Sequence, residues 1–227
     1  YFAGQKGRNY VFYTEYSFRK EYMSFRNFLA KKTYIDMDYL YGELSSSDGE
    51  NPLDYAAIAA HPGDFIAVAT NARTGRARYF DKRDMRQNNY NILKASCSIP
   101  FVCRPYFING VPYYDGALSD PVPVEKARDF HRTPDRDQKL AARIRKKYPL
   151  AADSLEKRAE KYNEGVARAK GYEKQGKLLI IAPDDTCGVD TLTRNKEAMK
   201  RFYDKGFEDA SEIALFLSRK NSDFKEG

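Results

Sequence analysis

Two kinds of periodicity divide the chain. Residues 64–71, DFIAVATN, form a short apolar run with β-branched members, the pattern of a buried strand. The glycine-containing turn ARTGR follows, and ARYFD reads as the returning strand of a hairpin. A second hairpin is predicted in PYFINGVPYYDGALSDP, residues 105–121, where Asn109-Gly110 separates two aromatic arms. Between the hairpins, NNYNILKASCS has the apolar spacing of a short helix that Pro100 stops. From Asp137 to about Gly176 the period becomes helical, rich in Ala, Lys, Arg and Glu and punctuated by Pro149. KLLIIAP, residues 177–183, predicts another short buried strand. Residues 193–220 predict one or two closing helices, NKEAMKRFYDKG and FEDASEIALFLSRK. Strands interleaved with helices in this way predict an α/β sheet with helices on its faces.

Composition narrows the class. The 227 residues are 42% hydrophobic and 31% charged, which excludes a disordered chain. No apolar run approaches the ~20 residues of a membrane-spanning helix. Cys97, Cys103 and Cys187 have no C-x-x-C or similar metal spacing, and their odd number predicts free thiols in a reducing, cytoplasmic compartment. The net charge of +7 raises the question of an anionic partner. Its excess lies in RNYVFYTEYSFRKEYMSFR near the start and in RIRKKYP with EKRAEKY later. The later region mixes Lys and Arg with Glu at helical spacing, as a solvated helix face does. No finger, RNA-binding-sheet or Walker signature accompanies it, so no nucleic-acid partner is expected. Attraction to an anionic lipid surface, with aromatic clusters such as NYVFYTEYSF making shallow contacts, explains the charge equally well.

Candidate chemistry centres on Asp115, directly after the second arm of the 105–121 hairpin. Spacing leaves two readings open: a β-turn acid, or a strand-end carboxylate of the kind open α/β sheets present to ligands. Ser96, Cys97 and Ser98 lack the flanking glycines of a strained nucleophile elbow and read as helix-end residues. His61 and His131 are the only histidines, both in loop-like sequence and expected to be exposed, so no Ser-His-Asp arrangement is assembled. Asp36, Asp38, Asp184 and Asp185 are too isolated for metal sites and read as caps or turns.

Resemblance carries the reading further. DFIAVATNARTGRARYFDK, followed by ILKASCSIPFVCRPYFINGVPYYDGALSDPVPVEKA, resembles the patatin-like phospholipase family. The combination A-S-x-S-I-P-x-x-x-x-P and then Y-x-D-G-A is specific, and weaker similarity runs over nearly the whole chain. The closing segments RIRKKYP, EKRAEKYNEGV and FEDASEIA are similar to those of bacterial patatin-family esterases. The resemblance implies a three-layer α/β/α hydrolase fold, incomplete within these residues. It implies a Ser-Asp dyad in which Asp115 is the base, with Gly116 and Ala117 completing the acid's motif. It implies hydrolysis of a lipid or other small ester without a cofactor. A carboxylate is a poor base in water, so such a dyad needs a partly desolvated pocket. The aromatic stretches PYF and VPYY supply walls suited to one.

The departures set further expectations. The family's Gly-rich oxyanion turn and its G-x-S-x-G nucleophile elbow are both absent from the sequence. YFAGQKGRNY resembles the end of the helix that follows that elbow, so residues before Tyr1 are expected in the physical protein. An apolar strand expected near Ala127-Arg128 is replaced by RDFHRTPDRDQ, and a break in the chain is expected there. The organisation expected is a single patatin-like domain over 1–227. Residues 1–127 form its core, and 128–227 form a helical part with one further strand. The alternative to an enzyme is a noncatalytic relative that binds lipid or a partner, and behind it a basic nucleic-acid-binding domain.

Overall fold

The structure, a computed structural model, describes residues 2–121, 134–190 and 192–223. Its described helices are α1 (Arg8–Thr14), α2 (Phe25–Lys31), α3 (Tyr55–Ala60), α4 (Asn91–Ser96), α5 (Pro134–Arg145), α6 (Pro149–Glu156), α7 (Arg158–Lys174), α8 (Lys196–Asp209) and α9 (Glu212–Asp223). Its strands are β1 (Ile66–Asn71), β2 (Ala77–Asp81), β3 (Tyr106–Ile108) and β4 (Val111–Asp115). The chain forms two compact units. One runs through Pro121 and takes in α5, α6 and the start of α7; the other holds the chain after Lys161.

In the first unit the strands form one antiparallel sheet in the order β2-β1-β4-β3. Both predicted hairpins are present. The β3–β4 turn needs two left-handed residues, and Asn109 at φ 50° with Gly110 at φ 74° supplies them. Side chains alternate along a strand, so Tyr113 and Tyr114 of β4 point to opposite faces. Tyr113 joins the core of Ala67, Ala69, Phe80 and Ile92, meeting the Phe80 ring edge-on at 5.3 Å. Tyr114 joins a second core with Leu118, Ala151 and Leu155, and meets the Tyr148 ring edge-on at 5.8 Å. Helix α4 packs on β1, β3 and β4. The α5–α6 pair, with α6 touching the turn after β4, covers the Tyr114 side. The result is an α/β fold whose central strand is buried on both faces.

Local chemistry sets the helix boundaries. Ser24 caps α2 by accepting from Asn27 N–H at 3.2 Å, and Asp54 caps α3 by accepting from Ala57 N–H at 2.9 Å. Pro149 opens α6, where a missing N–H costs nothing, which explains the interruption of the long helical pattern there. Asp137 of α5 and Arg158 at the start of α7 form a nearly buried ion pair joining those two helices.

One expectation is corrected. Residues 177–183 are not a strand: they are irregular, exposed to half-buried chain. A strand needs ladder partners for its backbone groups, and no described strand lies beside this run. Ile180 N–H instead donates to the Glu173 carboxylate at 3.1 Å. The break and missing strand expected near Ala127-Arg128 lie outside the described residues. In the second unit, Lys205 of α8 pairs with Asp184 and with Asp209 one helical turn on, and Asn195 caps α8.

The β1–β2 turn is held against α6 by a glycine. Gly75 has φ +69°, and a Cβ added there would sit 2.4 Å from the Leu150 carbonyl oxygen and 2.6 Å from Ser154 Oγ. Ser154 Oγ donates to the Gly75 carbonyl at 2.7 Å, so the approach cannot relax without losing that bond. Gly75→Ala is expected to cost about 1–3 kcal/mol, the range for overpacked sites. Urea unfolding checks this, and an unchanged midpoint would contradict the packing.

Candidate active site

Asp115 is the last residue of β4, opposite Ala69 of β1. Its backbone is held on both sides. The Asp115 N–H donates to the Ser98 carbonyl at 2.9 Å, and the Asp115 carbonyl accepts from Thr70 Oγ1 at 2.8 Å. Its side chain bends back over the next turn, where Oδ1 accepts from Ala117 N–H at 2.8 Å and caps the 3₁₀ turn Gly116–Leu118. The two sequence readings of Asp115 are therefore compatible in geometry: the carboxylate is a turn acid and stands at the strand end. Thr70 extends the support, with its hydroxyl 2.8 Å from Ser119 Oγ. Lys161 Nζ donates to the Ser119 carbonyl at 3.1 Å, tying the same turn to α7.

Gly116 permits this arrangement. A Cβ there would lie 2.3 Å from the Val68 carbonyl oxygen and 2.7 Å from its carbonyl carbon. Backbone-to-backbone approach this close admits only glycine. The glycine of the D-G-A box is thus set by packing of the turn against β1. Ala117 supplies the amide that the carboxylate accepts.

The short helix α4 ends beside the acid. Ser98 is fully buried, and its hydroxyl donates back to the Lys94 carbonyl at 2.5 Å. Cys97 is the C-cap residue, with Sγ 3.9 Å from the Tyr41 hydroxyl. Desolvation pushes the Cys97 thiol up to about 11, and the negative charge of Asp115 adds to the shift. Burial likewise pushes Cys103 up to about 12, with Cys97 and Asp115 contributing. The Tyr41 phenol is raised well above its ordinary value, first by burial and then by Cys97. Cys97 and Cys103, both of which feel the charge of Asp115, thus stay neutral at physiological pH.

The other candidates are accounted for separately. Ser96, Cys97 and Ser98 are helix-end residues, as their sequence context predicts, and none is presented on an elbow. His61 is half-buried rather than exposed: its Nδ1 accepts from Gly63 N–H at 3.0 Å and its ring meets Phe2 edge-on at 4.6 Å. His131 lies outside the described residues. Asp36 is fully buried and caps the turn after it, accepting from Asp38 N–H at 2.9 Å while pairing with Lys31 at 2.5 Å. Asp38 does more than the cap or turn expected of it. It pairs with Lys94 at 2.8 Å and with Arg104, joining α4 to the chain before β3. Asp184 and Asp185 accept from nearby backbone amides, those of Asp185 and Cys187.

Sequence reasoning missed the Ser98–Asp115 backbone link and the thiols around the acid. The signal was present: A-S-x-S-I-P and Y-x-D-G-A are separate in sequence, and the antiparallel sheet brings them into contact.

Residues 3–128 match the profile of the Patatin-like phospholipase family, more than half of the chain. The chain belongs to the patatin-like phospholipase family. Residues 148–214, from α6 to α9, match a family described as Domain of unknown function (DUF6363). No solved structure matches the chain. Membership agrees with the α/β fold and with the relation of the two motifs. It makes this patatin-like chain a relative of lipid acyl hydrolases.

The thiol environment has a measurable consequence. With a pKa of about 11, Cys97 is thiolate to only about one part in a thousand at pH 8, and only the thiolate reacts. Iodoacetamide at pH 8 is expected to leave Cys97 and Cys103 largely unmodified in the folded protein and to label both after denaturation. Peptide mass spectrometry reads the result. Rapid labelling of Cys97 in the folded state would show that its thiol is not held neutral.

Proposed function

We propose that this patatin-like protein hydrolyses carboxylic esters of lipids through a Ser-Asp dyad in which Asp115 is the general base. The observation that carries the proposal is the position of Asp115: at the end of a central strand, fixed by Ser98, Thr70 and Ala117, and electrostatically coupled to the Cys97 and Cys103 thiols, which remain uncharged. The proposal requires a serine supplied from outside the 227 residues, since no G-x-S-x-G occurs within them.

The chemistry assigned to Asp115 is proton transfer. As the serine oxygen attacks the ester carbonyl, its proton passes to the Asp115 carboxylate. The tetrahedral intermediate collapses, the alcohol leaves with that proton, and a water molecule repeats the sequence on the acyl-serine. A serine hydroxyl is weak at its free pKa and needs a base within hydrogen-bond reach. A carboxylate serves when water is scarce around it, because desolvation raises its basicity. Its bond to Ala117 N–H engages one oxygen and fixes the plane of the group.

A second reading rests on the same missing elbow: a noncatalytic relative that binds lipid without cleaving it. Asp115→Asn in the complete protein separates the two. Asparagine keeps a carbonyl oxygen to accept from Ala117 N–H, so the turn survives while the base is lost. Activity on a soluble short-chain ester is expected to fall by ~10²–10⁴-fold, the usual contribution of a general base. Asp120 is the internal control: it is exposed and accepts from the Tyr79 hydroxyl at 2.6 Å. Asp120→Asn is expected to retain most activity. Equal activity in wild type and Asp115→Asn, with matching thermal stability, would refute the assignment.

A further inference from the structure

Helix α2 is turned inside out for a surface helix. Its buried position is polar: Asn27 is 8% exposed, and its Nδ2 donates to the carbonyls of Lys20 at 3.3 Å and Glu21 at 2.9 Å. Its outward positions include two large apolar side chains beside the cations Arg26 and Lys31. Phe25 is 66% exposed and Leu29 61%, and as i and i+4 they share one face. The Phe25 ring also stacks on Phe28 at 5.9 Å, so the patch has a fixed shape. An ordinary surface helix places such residues inward. The predicted aromatic cluster NYVFYTEYSF behaves in the ordinary way, with Phe12 and Tyr16 buried in the core and Tyr13 exposed.

Charge around the patch identifies what fits it. Lys20, Arg26 and Lys32 are exposed and flank Phe25 and Leu29 in sequence, with Glu21 the acid among them. Lys31 is committed to Asp36. Two bulky exposed apolar side chains with exposed cations close by in sequence are the composition of an interfacial helix on anionic lipid. A second copy of the chain fits poorly. An isologous contact would bring the cations of one copy, Lys20, Arg26 and Lys32, against those of the other around a small apolar centre. A nucleic acid offers a base to stack on Phe25 but leaves Leu29 without an apolar partner.

The patch is joined to the candidate active site by backbone. Lys32 ends α2 in the left-handed conformation, and the next residues are strapped down: Tyr34 and Ile35 N–H both donate to the Val102 carbonyl, at 2.7 and 3.0 Å. Val102 lies four residues past Ser98, whose carbonyl holds the Asp115 amide. Nothing in this path is a long loop.

We propose that the outward face of α2, Phe25 and Leu29 with Lys20, Arg26 and Lys32, is the surface by which this protein docks on anionic membrane. Docking of a hydrolase at its lipid substrate rests on the function proposed above, but the surface can be tested without any catalysis. The measurement is co-sedimentation of the complete protein with vesicles of phosphatidylcholine alone and of phosphatidylcholine mixed with phosphatidylglycerol. Wild type is expected to bind the anionic vesicles preferentially and to release them in high salt. Phe25→Ser with Leu29→Ser, and separately Lys20, Arg26 and Lys32→Gln, are each expected to weaken that binding by about tenfold or more. Hydrolysis of a soluble ester, thermal stability and light-scattering mass are expected to stay as in wild type, since all five side chains are exposed. Wild-type vesicle binding by the Phe25/Leu29 variant overturns the proposal. So does a fall in light-scattering mass of that variant, which would assign the patch to a second copy. Absence of vesicle binding with intact ester hydrolysis sinks the docking surface alone. Vesicle binding lost on cue in a protein without esterase activity sinks the catalytic reading alone.

Discussion

The approach of the Gly116 backbone to the Val68 carbonyl holds the site together. Everything around Asp115 depends on the turn after β4 lying flush on β1. Only there can Thr70 reach the Asp115 carbonyl and Ser119 together, and only there does Leu118 enter the second core with no exposed surface. A side chain at residue 116 would lift the turn off the strand by more than an ångström, judged by its 2.3 Å encounter with the Val68 oxygen against ordinary contact distances. The D-G-A box is thus one structural statement: an acid to cap, a glycine to let backbone meet backbone, and an amide for the acid to hold.

That constraint explains why a short antiparallel sheet suffices to position an acid. Position β4 has neighbours on both edges and a core on both faces, so its register is over-determined. A slip of one residue would exchange Tyr113 and Tyr114 between two cores of different shape. The carboxylate inherits this precision because it is attached to the strand's last paired residue rather than to a loop. From the α4 side, the Ser98 carbonyl adds a hydrogen bond outside the sheet ladder. Asp38, clamped between Lys94 and Arg104, anchors α4 in turn.

Much of this was legible in the sequence, and the part that was not has physical causes. The hairpins were readable because their turns are dictated locally: Asn109-Gly110 and Gly75 are the residues that left-handed turns demand. Helices α4 to α9 were readable from apolar period and from Pro149. KLLIIAP misled because an apolar, β-branched run reports affinity for a ladder, and a ladder is a property of two segments. The aromatic run around Phe12 misled in the opposite direction, since exposure of an aromatic depends on which neighbours the fold supplies. Asn27 and Phe25 could not have been assigned their sides from period alone. A helix of seven residues has too few positions for the pattern to outvote the backbone carbonyls of Lys20 and Glu21 that Asn27 satisfies.

In the dyad proposed above, a carboxylate stands where many hydrolases use histidine, and the surroundings of Asp115 support that proposal. A base is strengthened by anything that destabilises its charged form, and nearby neutral, desolvated groups do this without adding a competing cation. Cys97, Cys103 and Tyr41 are held neutral by burial, and the charge of Asp115 is itself among the reasons the two thiols stay protonated. The coupling is reciprocal: a thiol that resists ionisation because a carboxylate is near is also a neighbour that never repels that carboxylate. Lys94 and Arg104 pair with Asp38, and Lys31 with Asp36. These ion pairs brace α2 and α4, and α4 leads directly into Ser98, whose carbonyl holds the Asp115 amide.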